Sequence, residues 1–338
     1  MKVFFVELNI IKVKISGPIE LYKLALEYFP GAIEEDGKHF DYEINYLGVI
    51  SRSPIIPLKT KLLKSFGGAP YYTWEDSSSR SYSYCSEEYK YGGHLIEREG
   101  NTLNIWVTKF NIHQKSGVIW AIRLIRELFL MQGLLNGFIP VHASAISHNN
   151  NALIFFGNKG RGKTTSMFTF VNQFKSQPMS NDLVLIGKDV TNKWVVTGWA
   201  WRITVGKELL KASGFNANGE NLSNNKIAFT PLEFSTYTKT SWSWYSNLKS
   251  IIRPQIKLDG SLYIEEIDPS TLSKEMGSEG IEEWDFGDYL NLGFSSPNFQ
   301  EVFKTLTEEI YGYSVTGDIW GNSNTKNSRL YELIGGTF

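Results

Sequence analysis

The sequence predicts an α/β chain in two parts: a mixed α+β region over residues 1–115 and an α/β core over 116–338. Three observations predict it. Short aromatic and β-branched runs bounded by Gly, Pro, Asn and Ser fill residues 40–112. A long amphipathic run then precedes a continuous apolar one, Ala152-Leu153-Ile154-Phe155-Phe156, which passes through a glycine-rich turn into a helical pattern. With 338 residues, 42% hydrophobic and 20% charged, the chain can bury a sizeable core, which excludes a mainly disordered protein.

Each element has a local reason. Residues 2–15 alternate well enough for one or two strands. Gly17-Pro18 opens a helix with Leu21, Leu24, Ala25 and Tyr28 on one side, and Pro30-Gly31 closes it. Tyr42–Tyr46 and Leu103–Val107 read as strands, whereas Ser77–Ser86, dominated by Ser, Tyr and Arg, reads as a wet loop or an edge hairpin. Ser116 is the N-cap of a helix running to about Gln132. Arg123, Arg126 and Glu127 share one face of that helix, so it is amphipathic and not a bilayer span. The boundary between the parts falls at 112–117, and the helix itself suits either side. Phe138–Ile146 and Ala152–Phe156 form a hairpin through the polar turn Ser147–Asn151. Strands recur to about residue 206 and over 255–266, and residues 279–338 mix acidic residues, aromatics and a Gly/Asn/Ser-rich loop at 321–328.

Charge and cysteine content narrow the classes. Lys+Arg is 34 against Asp+Glu 35, a balance that supports neither nucleic acid nor an anionic membrane as the main partner. The single cysteine, Cys85, excludes an internal disulfide and a CxxC knuckle, and favours a reducing, cytoplasmic setting. The apolar run at Val3–Val6 is too short for a signal peptide. Aromatics at 14% mean a heavy core or a stacking surface.

Gly157-Asn158-Lys159-Gly160-Arg161-Gly162-Lys163-Thr164 matches G-x-x-x-x-G-K-[ST] at every fixed position, with a strand before it and a helix from Thr165 to Phe174 after it. The glycines let successive N–H groups turn toward phosphate oxygens, and the helix N-terminus adds its partial positive charge. Lys163 can reach the β- and γ-phosphates, and the Thr164 hydroxyl can ligate Mg²⁺. Residues 157–165 are therefore expected to bind ATP with magnesium, GTP or ADP remaining open. No strand ending in Asp-Glu, no ABC-type signature and no Asn-Lys-x-Asp follows, which argues against a mechanical ATPase and a GTPase switch. Asp182 stands nineteen residues after Lys163, a gap that holds one helix and a strand start. Asp182 either accepts a proton from an attacking hydroxyl or holds the metal, or it is a turn aspartate before a strand.

Three ordered blocks resemble the HPr serine kinase/phosphorylase catalytic domain, a P-loop kinase core of phosphoenolpyruvate-carboxykinase type. They are Ile139-Pro140-Val141-His142-Ala143-Ser144-Ala145-Ile146, the loop at 157–164, and Ser180-Asn181-Asp182-Leu183-Val184-Leu185-Ile186. Gly198-Trp199-Ala200-Trp201-Arg202-Ile203 is a weaker fourth echo. The likeness spans about 116–266; residues 1–110 match nothing named. It implies a kinase acting on a hydroxyl, with Asp182 as general base, His142 near the phosphates, and Thr164, Asp182 and Asn181 around the metal. Asn181 stands where the family has a first aspartate, which removes one negative charge beside Mg²⁺. Val195-Val196-Thr197-Gly198 replaces the family's Glu-x-Arg-Gly, which argues against HPr as substrate.

Divergent relatives of this layout resemble tailoring kinases of ribosomally made peptides, lasso-peptide kinases among them. The expected acceptor is thus a serine-type hydroxyl on a peptide, protein or small molecule, with residues 1–115 free to bind acceptor or partner. Ser241-Trp242-Ser243-Trp244-Tyr245, followed by Lys249, Arg253 and Lys257, is either an acceptor groove or a covering strand. The alternative from another class is a catalytically impaired nucleotide-binding regulatory or scaffold module. Oligomeric state is left open, a homo-oligomer included.

Overall fold

A computed structural model describes the chain except residues 51, 67, 90–92, 109–117, 215–218, 223–224, 258–260, 280–286, 295–297, 320–329, 331–332 and 334–338. It is a mixed α/β protein with two large mixed sheets, and its contacts divide it into two compact units. The first holds Met1–Leu135 with Glu283–Ser296, the second Asn136–Glu282 with Pro297–Phe338.

The first unit runs β1 (Lys2–Leu8), β2 (Ile11–Gly17), α1 (Ile19–Tyr28), β3 (Ile33–Glu34), β4 (Tyr42–Ile50), β5 (Lys61–Lys64), β6 (Pro70–Glu75), β7 (Ser81–Cys85), β8 (His94–Glu99), β9 (Thr102–Thr108) and α2 (Ile119–Leu135). Its nine strands lie in the order β3-β1-β2-β4-β9-β8-β7-β6-β5. Alternation sets the buried face: Phe4, Val6 and Leu8 of β1 and Val13 and Ile15 of β2 point inward. Pro18 is the N-cap of α1, and Leu21, Ala25 and Tyr28 form its buried stripe.

Three features depart from the sequence reading. Ser77–Ser86 is no edge element, because β7 occupies its second half and pairs with β6 and β8 on its two sides. Its hydroxyls disguise a buried strand; Ser83 is 2% exposed and donates to the Tyr289 carbonyl. The helix expected from Ser116 begins at Ile119 among the described residues, Ser116 itself lying outside them. α2 packs on α1 and β2, so the contacts divide the chain after Leu135 and not at 112–117, and residues of 283–296 rejoin the first unit.

The second unit continues with β10 (Ile139–Val141), β11 (Ala143–His148), β12 (Asn151–Phe156), α3 (Lys163–Phe174), β13 (Gln177–Ser180), β14 (Val184–Lys188), β15 (Trp194–Gly198), β16 (Ile203–Gly206), α4 (Lys207–Ala212), β17 (Glu220–Asn221), β18 (Lys226–Phe229), α5 (Pro231–Thr238), β19 (Tyr245–Ile256), β20 (Tyr263–Ile267), α6 (Pro269–Glu279), α7 (Phe299–Glu309) and β21 (Gly312–Gly317). The main sheet follows β10-β14-β15-β19-β12-β11-β13, with β21 pairing β19 and β20; β16-β18-β17 form a small separate sheet. β12 is buried on both faces. Leu153 and Phe155 pack with Met167, Phe170 and Val171 of α3, while Ile154 and Phe156 pack with Leu272 and Met276 of α6 and Phe303 and Leu306 of α7. A strand covered on both faces must be apolar throughout, which is why 152–156 reads as one unbroken run. Phe138–Ile146 is not one strand: it breaks at His142 into β10, which pairs β14, and β11, which pairs β12 and β13. No helix among the described residues is long and apolar enough to cross a membrane.

Candidate active site

The site forms where β12 gives way to α3. Gly157, Gly160 and Gly162 all take positive φ, at 127°, 90° and 101°. Gly162 is the N-cap of α3, and a Cβ there would lie 2.3 Å from Ile256 Cγ1 at the end of β19. Only glycine satisfies both the backbone angle and the close approach. Ile256 N donates to the Arg161 carbonyl at 3.2 Å, so β19 buttresses the loop from outside. The first helical bond runs from Ser166 N to the Gly162 carbonyl at 2.8 Å, and the Arg161 N–H donates within the turn to the Asn158 carbonyl at 3.2 Å, so the loop closes tightly onto the N-terminus of α3. That is the construction of an anion site. Asn158, Lys159 and Gly160 are exposed at its rim, and Arg161, Lys163, Thr164 and Thr165 are half-buried. The Lys163 ammonium donates to the Gly157 carbonyl across the mouth of the turn.

The sheet brings the remaining residues to the same end. Val141 pairs Val184 and Ala143 pairs Phe156, so His142 stands at the switch between two neighbours, one strand end away from Gly157. Asn181 and Asp182 occupy the turn just before β14. Thr164 Oγ1 donates to Asn181 Oδ1 at 2.8 Å, which ties the first turn of α3 to that turn. Ser144 Oγ donates to the Asn181 carbonyl at 2.9 Å and fixes the same residue from β11. His142 Nε2 lies 3.6 Å from Asp182 Oδ1, with the two side chains 27% and 56% exposed. The carboxylate is thus open to an incoming group while its partner faces it from the strand switch.

All the residues read as candidates from the sequence meet here: the loop 157–165, Lys163, Thr164, Asn181, Asp182 and His142. Ser144 was missed; its signal was a small hydroxyl residue in an otherwise apolar strand, beside His142. Arg253 turns to the other face of the sheet. It follows Ile252, which pairs Phe155, and is held by Glu275 of α6 and, at 3.5 Å, by Ser314 Oγ. The aromatic segment 241–245 covers the core instead of opening a groove: Trp242 is 8% exposed and packs in the α3-side cluster, with Trp244 beside it at 5.6 Å between ring centroids. Arg202 pairs with Glu220 of the small sheet at 2.6 Å. Gly198 closes β15, where a Cβ would meet the Met179 carbonyl at 2.4 Å.

The donors gathered at this edge are hard oxygens, one ammonium and a row of N–H groups, a set that fits a magnesium nucleotide. Among the described residues no group of three His, Cys, Asp or Glu side chains is placed to hold a metal. Magnesium on a nucleotide needs no such cage, since phosphates and waters supply most of its ligands.

No family model matches the chain, and no curated protein matches it. Among solved structures, the HPr(Ser) kinase/phosphatase from Coxiella burnetii aligns with 57% of this chain and 98% of its own, at 11% identity and a TM-score of 0.27. So loose a likeness leaves the functional reading to the residues themselves.

Proposed function

We propose that the chain is an ATP-dependent phosphotransferase that delivers the γ-phosphate to a serine-type hydroxyl on a peptide, protein or small molecule. The observation that carries the reading is the meeting of the loop with the 181–182 turn: Thr164 bonds Asn181 at 2.8 Å while the adjacent Asp182 lies exposed, 3.6 Å from His142. A carboxylate at the mouth of such a loop can take the proton of an attacking hydroxyl, the step that phosphate transfer to a hydroxyl gains from.

The roles follow from position. Backbone N–H groups of 157–165 and the α3 N-terminus bind the phosphates, and Lys163 moves from the Gly157 carbonyl onto the outer ones. Magnesium, held by Thr164 with Asn181 and Asp182 near it, would neutralise charge on the phosphate oxygens. Asp182 takes the proton of the acceptor hydroxyl as its oxygen bonds phosphorus and the bond to the ADP oxygen breaks. His142 orients that carboxylate. Catalysis is then positioning plus charge neutralisation.

The test is mass spectrometry of an acceptor panel incubated with the full chain and Mg·ATP: free serine, small proteins, and peptides encoded beside the gene. A gain of one phosphate, lost in Asp182→Asn, supports the reading. Nucleotide binding by calorimetry without transfer to any acceptor would give the protein to the regulatory-module alternative.

A further inference from the structure

The first unit carries a strap with bare aliphatic side chains. β4 and β5 follow one another in the chain, yet β9, β8, β7 and β6 lie between them in the sheet. The connection therefore spans five strand spacings, about 24 Å, with a reach of at most ~36 Å for its ten residues, so it is drawn out. Residues 52–60 form neither helix nor strand. Pro54 and Pro57 stiffen the segment, since each fixes its own φ and pushes the residue before it toward extended backbone. Proline-type extended backbone repeats every three residues, which sets Arg52, Ile55 and Leu58 on one side. The exposures agree: Ile55 is 94% exposed and Leu58 fully so, against 38% for Ile56. Leu62, just beyond on β5, is 62% exposed, and Arg52, Lys59 and Lys61 are exposed among these residues.

The charge around this patch has one dominant sign. From Ile44 to Trp74 the sequence holds Arg52, Lys59, Lys61 and Lys64 and no Asp or Glu, in a chain whose net charge is -1. Glu87, which accepts from Ser53 Oγ at 3.5 Å, and Glu75, on the strand that pairs β5, offset part of this charge and leave cations in excess. The far end of β5 is covered, because Gly287 N donates to the Lys64 carbonyl and Gly287 packs on Leu63. The open patch is thus residues 52–62. Lysines on an edge strand guard it against pairing with another chain, which accounts for Lys61. That role does not account for Ile55 and Leu58, whose side chains stand in water on the strap.

The occupant follows from shape and charge. A two-fold contact with a second copy would set the same cations against one another. The aliphatic side chains project instead of lining a groove, so they suit a surface that yields to them. An anionic lipid interface supplies an apolar boundary for Ile55, Leu58 and Leu62 and negative headgroups for the cations beside them.

We propose that the strap 52–62 docks on an anionic lipid surface, with Ile55, Leu58 and Leu62 entering the headgroup boundary and Arg52, Lys59 and Lys61 meeting the headgroup charge. So small a patch binds reversibly. The surface belongs to the first unit, and the proposal stands whether or not the chain transfers phosphate.

The experiment is flotation of the full chain with vesicles of phosphatidylcholine alone and of phosphatidylcholine mixed with phosphatidylserine. The chain should float with the mixed vesicles, far less with phosphatidylcholine, and detach as salt is raised. Ile55→Ser combined with Leu58→Ser should weaken binding about tenfold or more, the loss of two inserted side chains. Lys59→Gln combined with Lys61→Gln should weaken it by a similar factor, at about fivefold for each cation removed. All four residues are exposed, so both doubles should melt like the parent. Val190→Ser, which removes an equally exposed aliphatic side chain from the second unit, should bind like the parent. If the chain does not float with the mixed vesicles, or floats equally in both doubles, the proposal falls. Self-association in analytical ultracentrifugation that is lost in the Ile55→Ser, Leu58→Ser double, without flotation, would overturn it in favour of a second copy on the strap.

Discussion

Replacing Gly162 by alanine probes the geometry on which the glycine-rich loop depends. Two penalties act at once. An L-residue at φ 101° and ψ 19° sits in left-handed backbone space, which costs about 1–2 kcal/mol. The new methyl would also stand 2.3 Å from Ile256 Cγ1 and 2.8 Å from Ile256 Cβ, atoms next to the backbone of β19 that cannot swing aside. Relieving such overpacking costs a further ~1–3 kcal/mol. Together the variant should lose roughly 2–5 kcal/mol, and at about 2–4 °C per kcal/mol the second unit should melt visibly earlier. Because the shifted groups are the first donors of α3, ATP affinity in calorimetry should fall as well. Combining Gly162→Ala with Ile256→Ala separates the causes: the steric share is recovered and the backbone share remains, so the pair is non-additive. If Gly162→Ala melts and binds ATP like the parent, the loop does not adopt this conformation and the site as built is wrong.

Lys163→Ala should lower ATP affinity about 10–100-fold with little change in melting, since one charge-assisted donor is lost while the backbone N–H groups remain; calorimetry reads this directly. Asp182→Asn should slow single-turnover phosphate transfer about 10²–10⁴-fold and alter nucleotide affinity far less. Asn181→Asp should keep or raise transfer, because aspartate can still accept from Thr164 and adds a charge beside the metal; a collapse of activity would show that the amide is required. In the first unit, burial pushes the Glu127 carboxyl from 4.5 up to about 7, partly offset by Arg126, the Phe66 N–H and Arg123. Between those values the unfolded chain has already released its proton, so stability falls as pH rises from 4.5 to 7, and Glu127→Gln should remove a fall of order 1–3 kcal/mol seen by denaturant titration. Burial moves His94 the opposite way, from 6.5 down to about 3, so its contribution falls as pH drops through that window, and His94→Gln should flatten that acid limb.

The parts of the site legible in the sequence are the local ones. The apolar run 152–156, the glycines at 157, 160 and 162, and the helix from Lys163 announce themselves because strand, turn and helix start are each set by neighbouring residues. The nineteen-residue gap after Lys163 holds one helix and one strand, and it sets Asp182 in the turn that Thr164 reaches through Asn181. What stayed hidden depends on partners far along the chain. Within Ile139–Ile146 only Pro140, which cannot donate to a ladder and lies in the edge strand β10, hints at a break, and nothing shows that Val141 pairs Val184 while Ala143 pairs Phe156. β7 was hidden for a different reason: its serines look solvated, yet Ser83 finds a carbonyl more than two hundred residues away at Tyr289. The return of 283–296 to the first unit is likewise a long-range event without a local pattern.

The strand switch at His142 explains how so few residues assemble a site. β10 carries the chain alongside β14, and one residue later β11 carries it alongside β12. The turn before β14 and the turn after β12 are thereby set next to one another, one bearing Asn181 and Asp182, the other the glycines. His142 and Ser144 flank the crossing itself, and each contacts one member of the 181–182 pair: His142 faces Asp182 at 3.6 Å, and Ser144 holds the Asn181 carbonyl at 2.9 Å. Asn181 spends its side chain on Thr164 and its carbonyl on Ser144, so it works as the clamp between helix and strand. Asp182, one residue on, is left exposed with a histidine to orient it. An amide suffices for clamping; only the exposed position needs a carboxylate. On the proposed reading, an asparagine at 181 is therefore compatible with a carboxylate at 182 taking the proton.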